Sequence, residues 1–165
     1  MKTKPARDGE VALGFDPAER KDAAITFIGV LQSDWAPGDA PKNLRQSREA
    51  GGGRGRVAIN APYRDGLRGL QVGQAIWLVL WFDRARRDLI VQAPRHADGP
   101  RGTFALRSPV RPNPIALGTT LITALDLETG VIGIDATDAW DGTPVLDIKP
   151  WIGTVDVPPG WRPDI

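Results

Sequence analysis

The 165-residue chain contains no cysteine. That absence excludes disulfides, thiolate metal ligands and a cysteine nucleophile together. Histidine is almost as scarce, with His96 the only one. A zinc site normally takes several ligands from His and Cys, so no metal centre is expected. A Ser-His-Asp triad would have to use His96, which sits between Pro94-Arg95 and Asp98-Gly99 in a loop-forming stretch and is a poor candidate for a positioned base. Long apolar runs are missing too. None approaches the ~20 residues that span a bilayer, and the polar, mixed-charge segment Met1 to Glu10 is unlike a signal peptide. A cytoplasmic protein with neither metal nor membrane partner is the expectation. There is no Gly-x-Gly-x-x-Gly, and Gly51-Gly52-Gly53 is not followed by the Lys-Ser/Thr of a P-loop, so those glycines read as a flexible surface loop.

What is present is a soluble globular composition, 41% apolar and 25% charged, at a length suited to one domain. The net charge of +1 hides a division. Residues 42–111 hold fourteen Lys/Arg against five acids, hence +9, whereas 112–165 hold two basic residues against eight acids, hence −6. Thirteen of the fourteen central cations are arginine, the side chain suited to bidentate phosphate contact. Both a nucleic-acid or polyphosphate partner and a plain compositional bias toward arginine fit that pattern.

The secondary-structure signal is a series of short apolar or alternating runs separated by Gly and Pro. Ala23–Gln32, Val57–Ala61, Ala75–Phe82, Leu89–Ala93, Ile115–Leu125, Val131–Ala136 and Val145–Ile148 read as strands, and Glu128-Thr129-Gly130 as a hairpin turn. Ala75–Phe82 is apolar on both faces and reads as the most buried strand, with Trp77 and Trp81 in the core. Without a convincing amphipathic helix or an alternating βα period, the expected fold is all-β, a small barrel or sandwich and not a doubly wound sheet. Residues 1–22 read as a mobile leader with an edge strand near Val11–Phe15, 23–157 as the domain, and 158–165 as a tail.

Two regions are dense in polar chemistry. Arg107 to Gly118 (RSPVRPNPIALG) can be neither a continuous helix nor a central strand, because its three prolines fix φ and remove backbone donors. A stiff extended loop remains, presenting Arg107, Arg111 and Asn113. A connector with solvated arginines and a preorganised binding loop both fit. Asp138 to Trp151 (DAWDGTPVLDIKPW) combines a tight turn at Asp141-Gly142-Thr143-Pro144 with a short strand. On that strand Asp147 and Lys149 lie two residues apart and hence on one face, free to pair or to flank a ligand.

Together these stretches resemble the two signature motifs of the TrmO family, also called TsaA-like or YaeB-like proteins. FIGVLQS (Phe27 to Ser33), IWLVLWFD (Ile76 to Asp83) and GTFALRSP (Gly102 to Pro109) are similar to the family's other segments. The resemblance implies a TsaA-like β-barrel, not a Rossmann sheet, that uses S-adenosylmethionine as methyl donor. It also implies homodimers with the cofactor near the interface, and a tRNA substrate, methylated at N6 of N6-threonylcarbamoyladenosine at position 37. By matched position, the cofactor contacts would be Pro41, Lys42, Asn43, Asp83, Arg84, Arg107, Leu117, Asp138, Ala139, Trp140 and Asp141. For catalysis the candidates are Asp147 or Asp141 as proton acceptor, with Lys149, Arg111 and Asn113 holding substrate. Lys42-Asn43 stands where the family has Arg-Gln, Asp83-Arg84 where it has His-Gln, and Ala116 where it has Gly. The alternatives are the same chemistry on another RNA or small molecule, and a non-catalytic module that binds the cofactor or RNA.

Overall fold

In a computed structural model the chain divides into two compact units. The structure describes residues 5–20, 22–95 and 97–162; His96 lies outside them. One unit combines the chain up to Thr26 with Trp81–Ala116, and the other combines Phe27–Leu80 with the chain from Leu117 onward.

The strands, in chain order, are β1 (Val11–Ala12), β2 (Gly29–Gln32), β3 (Arg56–Ile59), β4 (Ala75–Trp81), β5 (Leu89–Gln92), β6 (Arg101–Gly102), β7 (Ile115–Asp126), β8 (Val131–Ile134) and β9 (Pro144–Pro150). Two short helices, α1 (Leu44–Glu49) and α2 (Gly153–Asp156), and several 3-10 segments accompany them. Six strands close into a barrel in the order β2-β3-β8-β7-β4-β9. The all-β expectation holds: closure leaves no edge, and the inward side chains form the core. Leu31, Val57, Ile76, Ile122, Ile132 and Val145 are all at most 1% exposed. Each such aliphatic side chain stabilises the fold by roughly 1.5–3 kcal/mol relative to exposure.

Several strand expectations are corrected. The first strand is confined to Gly29–Gln32; Ile25 and Phe27 are exposed, and β-branched residues alone did not place Ala23–Thr26 in a ladder. On β4, burial alternates. Ile76, Leu78 and Leu80 are buried, whereas Ala75, Trp77, Val79 and Trp81 are only half-buried. A barrel wall has one interior, so both tryptophans lie on its outer face and not in the core. β9 pairs with β4 through a register shift at Val79/Leu80, where Leu80 faces Val145 but Val79 faces Asp147. The extra residue turns Asp147 and Lys149 to the outer side, opposite Val79 and Trp77.

The other unit contains the three-stranded sheet β1-β5-β6. Part of the stretch expected as a mobile leader is held here. Val11 pairs with Val91, the Leu13 N–H donates to the Asp88 carbonyl at 2.6 Å, and Arg7 donates to the Ala93 carbonyl at 2.8 Å. The Glu10 carboxylate, 3% exposed, pairs with Arg7 at 2.6 Å.

Candidate functional site

The segment that leads into the glycine run Gly51–Gly53, expected as a flexible surface loop, is built around α1. Asn43 caps the helix, its side-chain oxygen accepting from the Gln46 N–H at 2.9 Å. The Gln46 amide oxygen accepts from the Lys42 N–H at 3.1 Å. This reciprocal arrangement satisfies helix N-terminal donors and fixes the entry of Pro41-Lys42-Asn43. Beyond the helix the glycines are packed. Gly52 and Gly53 are buried at φ 77° and 70°, and a Cβ on Gly53 would stand 2.3 Å from Trp35 Nε1. Glycine is required there by both conformation and space.

Two anchors fasten α1 to the barrel. Ser47, fully buried, donates to the Thr137 carbonyl at 2.7 Å; the Trp35 indole N–H donates to the same oxygen at 2.6 Å. Arg48 pairs with Asp135 at 2.6 Å and donates to the Thr119 carbonyl at 3.1 Å. Asp135 also accepts from the Thr120 hydroxyl and, at 2.7 Å, from the Leu121 N–H. Burial pushes the Asp135 carboxyl up, but the bonds from Arg48, Thr120 and Leu121 outweigh it and hold the group below the usual carboxylate range.

The bend from Asp138 to Asp141 is fastened to the Ser33–Trp35 loop. The Ser33 hydroxyl donates to the Ala139 carbonyl at 3.0 Å, and the Ser33 N–H donates to the Asp141 carboxylate at 3.0 Å. The Asp141 N–H reaches the Trp35 carbonyl at 2.9 Å, and the Thr143 hydroxyl donates to the Trp140 carbonyl at 2.6 Å. Ala139 is buried, while Asp141 remains exposed. Leu117 lies on β7 next to Gly118, which approaches Leu44 of α1. Within this unit, α1 therefore links the Pro41–Asn43 loop, the start of β7 and the Thr137–Asp141 bend. Sequence reasoning named those three segments but missed Ser33, Trp35, Ser47, Arg48 and Asp135, which hold them. The Asn43-x-x-Gln46 spacing was the one local signal.

Asp147 and Lys149 stand apart from that group. They form an ion pair at 2.8 Å, the Asp147 carboxylate accepts from the Ile148 N–H at 2.9 Å, and Asp147 holds the Lys149 ammonium above its usual pKa. Asp147 borders an open cleft of about 620 Å³ with Tyr63, Arg68 and Gln74, a lining that includes none of Pro41–Asn43, Leu117 or Asp138–Asp141.

In the other unit, the Pro-loop is pinned at four places. Gln92, buried, donates to the Val110 carbonyl at 2.6 Å and to the Thr103 hydroxyl at 2.9 Å. Arg111 turns one guanidinium nitrogen back onto the carbonyls of Leu106 and Ser108, at 3.1 and 3.2 Å. Arg87 donates to the Pro112 carbonyl at 2.5 Å and to Asn113 Oδ1 at 3.2 Å, with its guanidinium 5.3 Å from the Trp81 ring centroid. The Phe82 N–H reaches the Pro114 carbonyl at 2.9 Å. A loop so fastened is preorganised and not a loose connector. Arg111, expected to reach toward substrate, bonds the loop itself through Nη1. Asp83 and Arg84 are exposed at the exit of β4, and Arg107 is exposed on the loop. Arg87 and Gln92 went unpredicted, because nothing local marks a side chain that acts across 18–26 residues of sequence.

Residues 33–157 match the family model described as the tRNA-methyltransferase O N-terminal domain. The chain belongs to the tRNA-methyltransferase O family. Among relatives, it is 32% identical over 151 residues to the probable S-adenosyl-L-methionine-binding protein VirR of Rhizobium radiobacter, covering 91% of this chain and 82% of that protein. It is 36% identical to a probable S-adenosyl-L-methionine-binding protein of Archaeoglobus fulgidus over 78% of this chain, but only 34% of that longer protein. The mouse tRNA (adenine(37)-N6)-methyltransferase is 39% identical over 56% of this chain and 22% of its own length. The crystal structure of TrmO from Pseudomonas aeruginosa superposes with a TM-score of 0.63 at 27% identity, covering 87% of this chain and 62% of that one. The chain thus spans only part of several tRNA-methyltransferase O relatives. No helix among the described residues is long and apolar enough to cross a membrane, and none of these residues form a cluster of three or more His, Cys, Asp or Glu suited to a metal.

Proposed function

We propose that this chain is an S-adenosylmethionine-dependent methyltransferase that modifies N6 of adenosine 37 in tRNA, with the threonylcarbamoylated base as substrate, in the cytoplasm. The observation that carries the reading is that α1 follows directly on the Pro41–Asn43 loop and is bonded both to β7, at the Thr119 carbonyl, and to the Thr137 carbonyl at the head of the Asp138–Asp141 bend, in a chain of this family. The donor set suits the cofactor. The bend offers a carboxylate with one oxygen bonded to Ser33 and lone pairs to spare, as suits a cation, and the Lys42-Asn43 loop offers a cation and an amide. Asp83, Arg84 and Arg107 are further cofactor candidates that rest on the resemblance.

When bound, the cofactor supplies a methyl carbon on a sulfonium, whose C–S bond breaks as the N–C bond forms. The chain's residues then have three tasks: to hold the partners in line, to keep negative charge near the cation, and to accept the proton lost from the attacking nitrogen. Asp141 is the proposed acceptor, because its carboxylate carries no cationic partner among the described residues. Asp147 is a weaker choice for that role, tied to Lys149. A homodimer is proposed as well, supported by Leu117 and Leu121, 44% and 45% exposed on the outer face of β7.

Calorimetry with S-adenosylmethionine, followed by labelled methyl transfer to tRNA, tests the reading. Binding and transfer are expected. Binding without transfer would favour a cofactor-binding module, and no binding at near-millimolar cofactor would remove both.

A further inference from the structure

Asn113 sits between two prolines, so its backbone has little freedom. Its own carbonyl accepts from the Ile115 N–H at 2.7 Å, and the next residue, Pro114, is fully buried with its carbonyl bonded to Phe82. The side chain is therefore rooted in a fixed frame, yet exposed at its tip. Arg87 Nη2 lies 3.2 Å from Asn113 Oδ1. A guanidinium has five donors and no acceptor, so the amide face turned toward it must be the carbonyl oxygen. The opposite face, the amino group with two N–H donors, then points outward. Arg87 is itself held on two further sides, by the Pro112 carbonyl and by the face of Trp81.

We propose that Asn113 is a preset hydrogen-bond donor for an acceptor oxygen or ring nitrogen of the RNA substrate, and that Arg87 is the positioning residue that sets which amide face is shown. The proposal rests on the methyltransferase reading for its ligand, but not for the amide orientation. RNA is the matching source of acceptors because residues 81–116 carry seven arginines against three acids. That excess attracts a polyanion whose base edges display carbonyl oxygens and ring nitrogens.

Steady-state kinetics with separately varied tRNA and S-adenosylmethionine test this in N113A, N113D, R87M, R87K and the R87M/N113A double variant, each checked for an unchanged thermal midpoint. N113A and N113D should raise KM for tRNA by about three- to tenfold, the range of one hydrogen bond, with KM for the cofactor unchanged. R87M should give a similar rise, R87K should recover most of the loss, and the double variant should be no worse than N113A alone, since coupled residues do not add. Effects of R87M and N113A that multiply would overturn the positioning role. A rise in cofactor KM alone, or a rise in N113D without one in N113A, would overturn the donor role. Amide 15N–1H spectra of the ligand-free protein separate this from failure of the methyltransferase reading. The Asn113 side-chain pair should move in R87M whether or not the protein methylates tRNA, and an unmoved pair would overturn the orientation argument outright.

Discussion

Replacing Gly53 by alanine tests whether the glycine run is a packed part of the fold beside α1. Two costs follow from the structure. At φ 70° an L-residue is strained by roughly 1–2 kcal/mol. The new Cβ would also fall 2.3 Å and 2.5 Å from Nε1 and Cε2 of the Trp35 indole, so the ring must move. Its N–H would then leave the Thr137 carbonyl, now 2.6 Å away, and a part-buried donor left unsatisfied costs about 1–3 kcal/mol. The total, about 2–5 kcal/mol, should lower the thermal midpoint by roughly 10 °C for a chain of this size. Gly51 supplies the control. It has φ 87°, but among the described residues nothing lies within 4 Å of where its Cβ would stand, so G51A should show the backbone cost alone. Thermal and urea unfolding of the two variants measure the difference. If G53A is no less stable than G51A, the packing of Trp35 against the glycines is wrong, and the run is the flexible loop its composition suggests.

Two other outcomes are expected. D141N should reduce methyl transfer to tRNA at least about tenfold, on the scale of lost general-base assistance, while D147N should retain most of it; the reverse order would move the proton acceptor to β9. The Glu10 carboxyl is lowered from 4.5 to about 2, chiefly by its hydrogen bond from the Arg7 side chain. A depressed acid contributes stability above its unfolded pKa and loses it as pH falls through the folded one. Hydrogen-exchange protection at β1 and β5, taken relative to the intrinsic exchange rate at each pH, should therefore fall between about pH 4.5 and 2 in the wild type, and E10Q should reduce that dependence, leaving the part due to the Asp88 carboxyl, which Arg86 also lowers.

Much of the barrel was legible because its strands are short β-branched or alternating runs ended by Gly and Pro, as in Val131–Ile134 or Ile115–Asp126. The Pro-loop was legible for a different reason, since prolines at 109, 112 and 114 leave few conformations open. Where reading failed, the cause was tertiary. Ala75–Trp81 is apolar on both faces, but a closed barrel gives it only one interior, and Trp77 and Trp81 fell outside. Helix α1 has six residues, too few for a periodic pattern to stand out, and its position depends on Ser47 and Arg48 reaching β-strand and bend residues some 70–90 positions away. The site residues split similarly. Motif resemblance named the segments that α1 links, whereas Asp147 and Lys149, which look adjacent to the bend in sequence, are carried to the outer face by the β4–β9 register shift.

The central claim is tested most directly by incubating the purified chain with S-adenosylmethionine and tRNA bearing N6-threonylcarbamoyladenosine, then analysing the nucleosides by mass spectrometry. A nucleoside one methyl group heavier, formed at that base and dependent on the cofactor, is the predicted result. Unmodified threonylcarbamoyladenosine alongside demonstrable cofactor binding would contradict it.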